Sequence, residues 1–114
     1  MLGNPVENLL RKARSVLKNN WTIGVLNKGE AFCALGAIYY AAGIPKEKLE
    51  GRDYYRGKVD KVVSQAIDRL YRRGIRKIDC SATGVSTFND YHKNKHKVIE
   101  AFDLAIQTRI KKGE

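Results

Sequence analysis

Residues 30–42 read EAFCALGAIYYAA, the longest apolar stretch in the chain. A segment apolar on every side is a helix that other elements surround, so this one is expected at the centre of an all-α domain. Gly36 lies inside it at a cost of about 1 kcal/mol against alanine, tolerated most easily where a neighbour packs closely. Ala34, Ala37, Ala41 and Ala42 allow the same close approach. Gly43, Ile44 and Pro45 end the segment, because glycine suits the left-handed cap and proline cannot continue a helix. Residues 46–50 are expected to add one helical turn.

Outward from this centre the chain divides into three further helical stretches. In residues 5–18, Val6, Leu9, Leu10, Ala13, Val16 and Leu17 recur at helical spacing. Asn4 is placed to cap this helix, and Pro5 fits its first position. Residues 21–26 (WTIGVL) are short and β-rich, and Asn27, Lys28 and Gly29 read as a turn; an extended segment or hairpin is expected near Trp21. Residues 54–73 carry Val59, Val62, Val63, Ala66, Ile67 and Leu70 on one stripe, with Gly74 expected to end the helix. Residues 81–94 read as a polar connection. The last helix is expected over residues 94–111, on Val98, Ala101, Phe102, Ala105, Ile106 and Ile110, with residues 110–114 frayed. The expectation is one domain over residues 1–114, a bundle of about four helices.

The 114 residues include 22 Lys and Arg against 12 Asp and Glu, a formal charge of +10. Residues 1–51 hold seven basic and four acidic residues, net +3, and residues 52–114 hold fifteen and eight, net +7. A hydrophobic content of 43% excludes a disordered polycation. No apolar run approaches the roughly 18 residues of a membrane span, and residues 1–5 lack the pattern of a signal peptide. The expectation is a cytoplasmic protein without a membrane partner. Cys33 and Cys80 are 47 residues apart, outside any CxxC pair, which argues for free thiols and against a zinc site.

Trp21, Thr22 and Gly24 form a Trp-Thr-x-Gly element that precedes Cys-Ala-Leu-Gly-Ala at 33–37. Phe-Asn-Asp follows at 88–90, then Val-Ile-Glu-Ala-Phe-Asp-Leu-Ala-Ile at 98–106. In this order and spacing the chain, from about Asn8 to Ile106, resembles a family of small uncharacterised proteins of bacteria, mainly actinobacteria, and their phages. The resemblance implies a shared fold and three candidate spots, with no assigned activity and no cofactor.

The residues support three functional readings. A strongly basic small domain favours a polyanionic partner, and nucleic acid is the favoured one, contacted through Arg69, Arg72, Arg73, Arg76, Lys77, Lys93, Lys95 and Lys97. Cations near a helix C-terminus also answer the helix dipole, so part of the 69–77 cluster has a structural explanation. Lys93, Lys95 and Lys97 stand at the wrong end of their helix for that. Tyr54, Tyr55, Tyr71 and Tyr91 interleave with basic residues, a pattern that suits stacking on single strands. The second reading is a protein-interaction factor of phage or mobile-element type that binds an acidic protein. The third is a hydrolase or transferase in which Cys33, near a helix N-terminus, acts with His92 and Asp90. Against it, a buried cysteine among Phe32, Leu35 and Ile38 is ordinarily a small hydrophobe. Asn89 and Asp90 are expected to serve a turn or cap, and the Trp21 ring to plug the core while its N–H finds one acceptor. His92 and His96 lack a third ligand and sit among lysines, so no metal is expected.

Overall fold

The computed structural model describes residues 4–107. Its first helix, α1, spans Pro5–Asn19. The Asn4 side-chain oxygen accepts the backbone N–H groups of Val6 at 2.8 Å and Glu7 at 3.3 Å, satisfying donors that the first turn leaves open. Leu9, Leu10, Ala13 and Leu17 form its buried face.

The chain leaves α1 extended and makes a small antiparallel hairpin, β1 (Asn27–Lys28) with β2 (Ala31–Phe32), around Gly29 at φ +61°. Thr22 N–H also donates to Phe32 O at 3.0 Å and Phe32 N–H to Asn20 O at 3.2 Å. The expected helix over residues 30–42 therefore starts later. Residues 31 and 32 belong to the hairpin, Cys33 is the N-cap, and α2 spans Ala34–Ala41. The turn chemistry at 27–29 prevails: Phe32 pairs with Asn27 in the hairpin and bonds Asn20 and Thr22 through its own N–H and C=O. α2 ends in a left-handed cap at Gly43 (φ +104°): Ile44 N–H donates to Tyr39 O and Gly43 N–H to Tyr40 O. A single 3₁₀ turn follows at Lys46–Lys48.

The third helix, α3, covers residues 61–78 in three continuous parts: α-helical Lys61–Arg69, π-helical Leu70–Ile75 and α-helical Arg76–Ile78. Two expectations are corrected here. Residues 54–60 are not helical, because Asp60 is the N-cap, its carboxylate accepting Val63 N–H at 3.0 Å. Gly74 does not end the helix either. It lets the last helix approach so closely that an added Cβ would lie 2.2 Å from Ala101 O. The expected polar connection is also corrected, because it contains a further helix, α4 (Val85–His92), with Val85, Phe88 and Asn89 buried. After Lys93 in the left-handed region (φ 49°), α5 runs over Lys95–Gln107. Its expected end near residue 111 and the frayed tail lie outside the described residues.

The described residues thus form a mostly helical single-domain bundle of five helices and one hairpin. Arg69 Nε donates to Ala105 O at 2.8 Å, while Gly74 meets Ala101. Later residues of α3 therefore meet earlier residues of α5, and the two helices run antiparallel. Arg14 pairs with Asp103, and Lys95 Nζ reaches Lys18 O, so α1 is antiparallel to α5 as well. α2 packs on α1, α3 and α4, with Ala37 and Ile38 fully buried.

Gly36 is where α2 touches the loop after Trp21: an added Cβ would stand 1.9 Å from Leu26 O. Gly36→Ala, which in an open helix would stabilise by about 1 kcal/mol, is expected to destabilise by about 1–3 kcal/mol through overpacking. Thermal unfolding should show the midpoint falling by about 4 °C or more; an unchanged or raised midpoint would contradict the close approach.

Candidate functional site

The three sequence motifs meet at one side chain. Asn89, on α4 and fully buried, accepts Trp21 Nε1–H at 2.8 Å and Ala34 N–H at 3.0 Å on its Oδ1. Its Nδ2 donates to Thr22 O at 3.1 Å and to Asp90 Oδ1 at 3.0 Å. Both neighbours of Oδ1 are pure donors, which fixes the orientation of the amide. Asp90 Oδ1 in turn accepts Gly24 N–H at 3.0 Å. Asn89 and Asp90 are thus not a local turn: they clasp the Trp-Thr-x-Gly segment and the start of α2 from 55 to 68 residues away. Trp21 packs partly buried against the core with its N–H satisfied, as its residue type suggests.

Beside this clasp is a cavity of about 160 Å³, lined by Gly24, Val25, Cys33, Asp53, Ser86, Thr87 and Asp90. Cys33 is the N-cap of α2, its Sγ accepting Gly36 N–H at 3.3 Å. Helix N-termini ordinarily favour a thiolate, but here burial wins and pushes the thiol up to about 11, with the Asp90 charge acting in the same direction. At neutral pH the group is a protonated thiol. His92 does not line this cavity. Its Nε2 lies 3.1 Å from Asp79 Oδ2 and its ring packs on Phe88 at 4.5 Å between centroids. The structure therefore brings Cys33 together with Asp90 but leaves His92 in a separate pair. Among the described residues, no three His, Cys, Asp or Glu side chains are grouped to hold a metal ion, and no helix is long and apolar enough to cross a membrane.

The eight basic residues separate into two groups. Arg69 and Arg73 line a groove of about 480 Å³ between the start of α1 and α3, with Asn4, Val6 and Lys61. Arg69 is buried, its guanidinium spent on the Ala105 carbonyl, and burial lowers its pKa. The antiparallel pairing of α3 and α5 carries Arg76 and Lys77, at the end of α3, towards Lys95 and Lys97, at the start of α5. Residues 76–78 pack directly on α5. Arg72 belongs to both surroundings: it pairs with Asp68 at 3.1 Å and lines an open recess with Tyr71, Arg76 and Lys77. The Arg76 guanidinium stands 5.9 Å above the Tyr71 ring.

The lysines at the start of α5 acquire a partial explanation that the sequence could not supply. Lys95 Nζ donates to Lys18 O at 2.7 Å. Its charge thus answers the negative end of α1 rather than opposing the positive end of its own helix. Lys77, Lys93 and Lys97 are exposed. Sequence reasoning missed helix α4, and with it the clasp, because only Val85 and Phe88 mark that helix as apolar.

A model of a family of unknown function, DUF6197, matches residues 1–108, and the chain belongs to that family. No curated protein and no solved structure gives a significant match.

Asn89→Ala strands one buried donor, Ala34 N–H, at about 1–3 kcal/mol, and one partly buried donor, Trp21 Nε1–H, so the unfolding midpoint should fall by about 5 °C or more. Trp21→Phe in the Asn89→Ala background should cost less than in wild type, because the shared bond is already gone; strict additivity would refute the clasp. Native alkylation should label the exposed Cys80 and spare Cys33 until denaturant is added. The raised Cys33 pKa favours the native state up to about pH 9 and loses that advantage as pH rises towards 11. Cys33→Ser should therefore flatten the fall in stability over that interval, measured as the difference from wild type by denaturant titration.

Proposed function

We propose that the chain is a small non-enzymatic binding protein that holds nucleic acid by its phosphates. The observation that carries this reading is the antiparallel packing of α3 on α5, which brings the basic end of the one to the basic start of the other. Arg72, Arg76 and Lys77 come from α3, Lys95 and Lys97 from the start of α5, and Lys93 from the cap that precedes it. Arg69 is left out of this contact set because its guanidinium is buried against α5, and Arg73 because, unlike Arg72, it lines the groove on the α1 side without also lining the recess of Arg76 and Lys77. Some of these charges already serve the bundle, but Lys77, Lys93 and Lys97 do no evident structural work. Contacts of this kind read charge spacing more than sequence. Two free cysteines fit a reducing cytoplasm. The protonated thiol of Cys33 and the separate placement of His92 weigh against the cysteine-enzyme reading.

The test is fluorescence anisotropy with labelled single-stranded DNA, duplex DNA and RNA, at about 50 and 200 mM salt. Six phosphate contacts should cost duplex affinity about 10³-fold across that range. Lys77→Glu with Lys97→Glu should weaken binding at least about tenfold. Lys61→Glu, at the opposite end of α3 and about 24 Å from Lys77 along the helix axis, should change it far less. No binding at low salt would overturn the reading; capture of an acidic protein through the same lysines would replace it with the interaction-factor alternative.

A further inference from the structure

Four tyrosines interleave with basic residues, and three of them are occupied. Arg56 lies over the Tyr54 ring at 5.1 Å, Tyr55 packs on Tyr39 at 5.2 Å, and Tyr71 lies under Arg76 with its hydroxyl donating to Ala82 O at 2.7 Å. Tyr91 differs: it is 79% exposed, well above any other large hydrophobic side chain among the described residues. It is also braced. His92 meets its ring edge-on at 5.3 Å, and His92 is itself fixed by Asp79 and Phe88.

Tyr91 is linked through its chain neighbours to both basic stretches. Asp79, which holds its neighbour His92, follows Lys77 by two residues, and Lys93 follows Tyr91 by two. The nearby carboxylates are engaged, Asp79 with Ser81 and His92 and Asp90 with Gly24, which lessens their repulsion of a phosphate. Tyr91 also borders an open depression of about 310 Å³, to which Ser81, Thr83 and Thr87 bring hydroxyls, Phe88 an apolar wall and Asp79 a carboxylate already held by Ser81 and His92. An open aromatic face beside hydroxyl groups, two residues before the exposed Lys93, suits a flat heterocycle on a polyanionic chain.

We propose, building on the nucleic-acid reading above, that Tyr91 and this depression take one unpaired base, so that the protein prefers single strands to duplex. Duplex bases are stacked on one another and have no free face to offer, so a duplex would gain only the phosphate contacts. Stacking on an exposed aromatic is tolerant of base identity, so the preference is for strandedness rather than sequence.

The experiment compares three labelled probes of equal length, oligothymidylate, an abasic strand and a duplex, against wild type, Tyr91→Ala and Tyr91→Phe. The expected result is that Tyr91→Ala weakens oligothymidylate binding about 5- to 100-fold and leaves abasic and duplex binding unchanged, while Tyr91→Phe behaves as wild type. Equal unfolding midpoints for the three proteins establish that the exposed position leaves the fold intact. If wild type binds all three probes and Tyr91→Ala changes none, or changes all equally, the base site is overturned and the phosphate reading stands. If wild type binds none of them, both fail.

Discussion

One carboxamide organises this molecule. Asn89 reaches from α4 to the indole N–H of Trp21, the Thr22 carbonyl and the first amide of α2. A buried amide has two acceptor sites and two donors, and here all four are used. Satisfying them ties the segment before the hairpin, the start of the central helix and the short fourth helix to one point. A polar group at such a junction brings specificity of a kind that apolar packing lacks: a helix shifted by one residue would leave at least one of these groups without a partner, at full desolvation cost. The small cavity at Cys33 lies in this junction, and burial there keeps the thiol protonated.

The rest of the bundle is assembled by backbone approach. Gly36 admits the Leu26 carbonyl to α2, and Gly74 admits the Ala101 carbonyl to α3. Alanine at either position would place a methyl group inside the neighbour's van der Waals shell. The second of these contacts lets α3 and α5 sit close in their antiparallel pairing, with residues 76–78 packed on α5.

Much of this was legible in the sequence, and the failures have particular causes. α1 was legible because Asn4, Pro5 and a regular apolar stripe agree. The central helix was legible in kind but not in its start, since a segment apolar on all sides carries no phase, and the hairpin turn claimed residues 31 and 32. α4 was missed because a helix with two apolar anchors has almost no periodicity to read. Gly74 reads as a stop because local propensity cannot register a neighbour 27 residues away along the chain. Trp21, Cys33, Asn89 and Asp90 could each be nominated from composition and motif, but their meeting is a product of tertiary packing. The separation of Arg69 and Arg73 from the other cations was invisible for the same reason.

The π-helical turn at Leu70–Ile75 bears on how this surface could change in related chains. A π turn amounts to one extra residue inside a helix. Each residue advances a helix by about 100°, so everything beyond the turn is rotated relative to an uninterrupted helix by roughly that angle. Deleting one of the uncharged residues there would leave every basic side chain in the sequence and yet turn Arg76 and Lys77 away from their present bearing. Among relatives of this protein the direction in which the charge points is therefore open to change by a one-codon deletion, with composition and net charge nearly untouched.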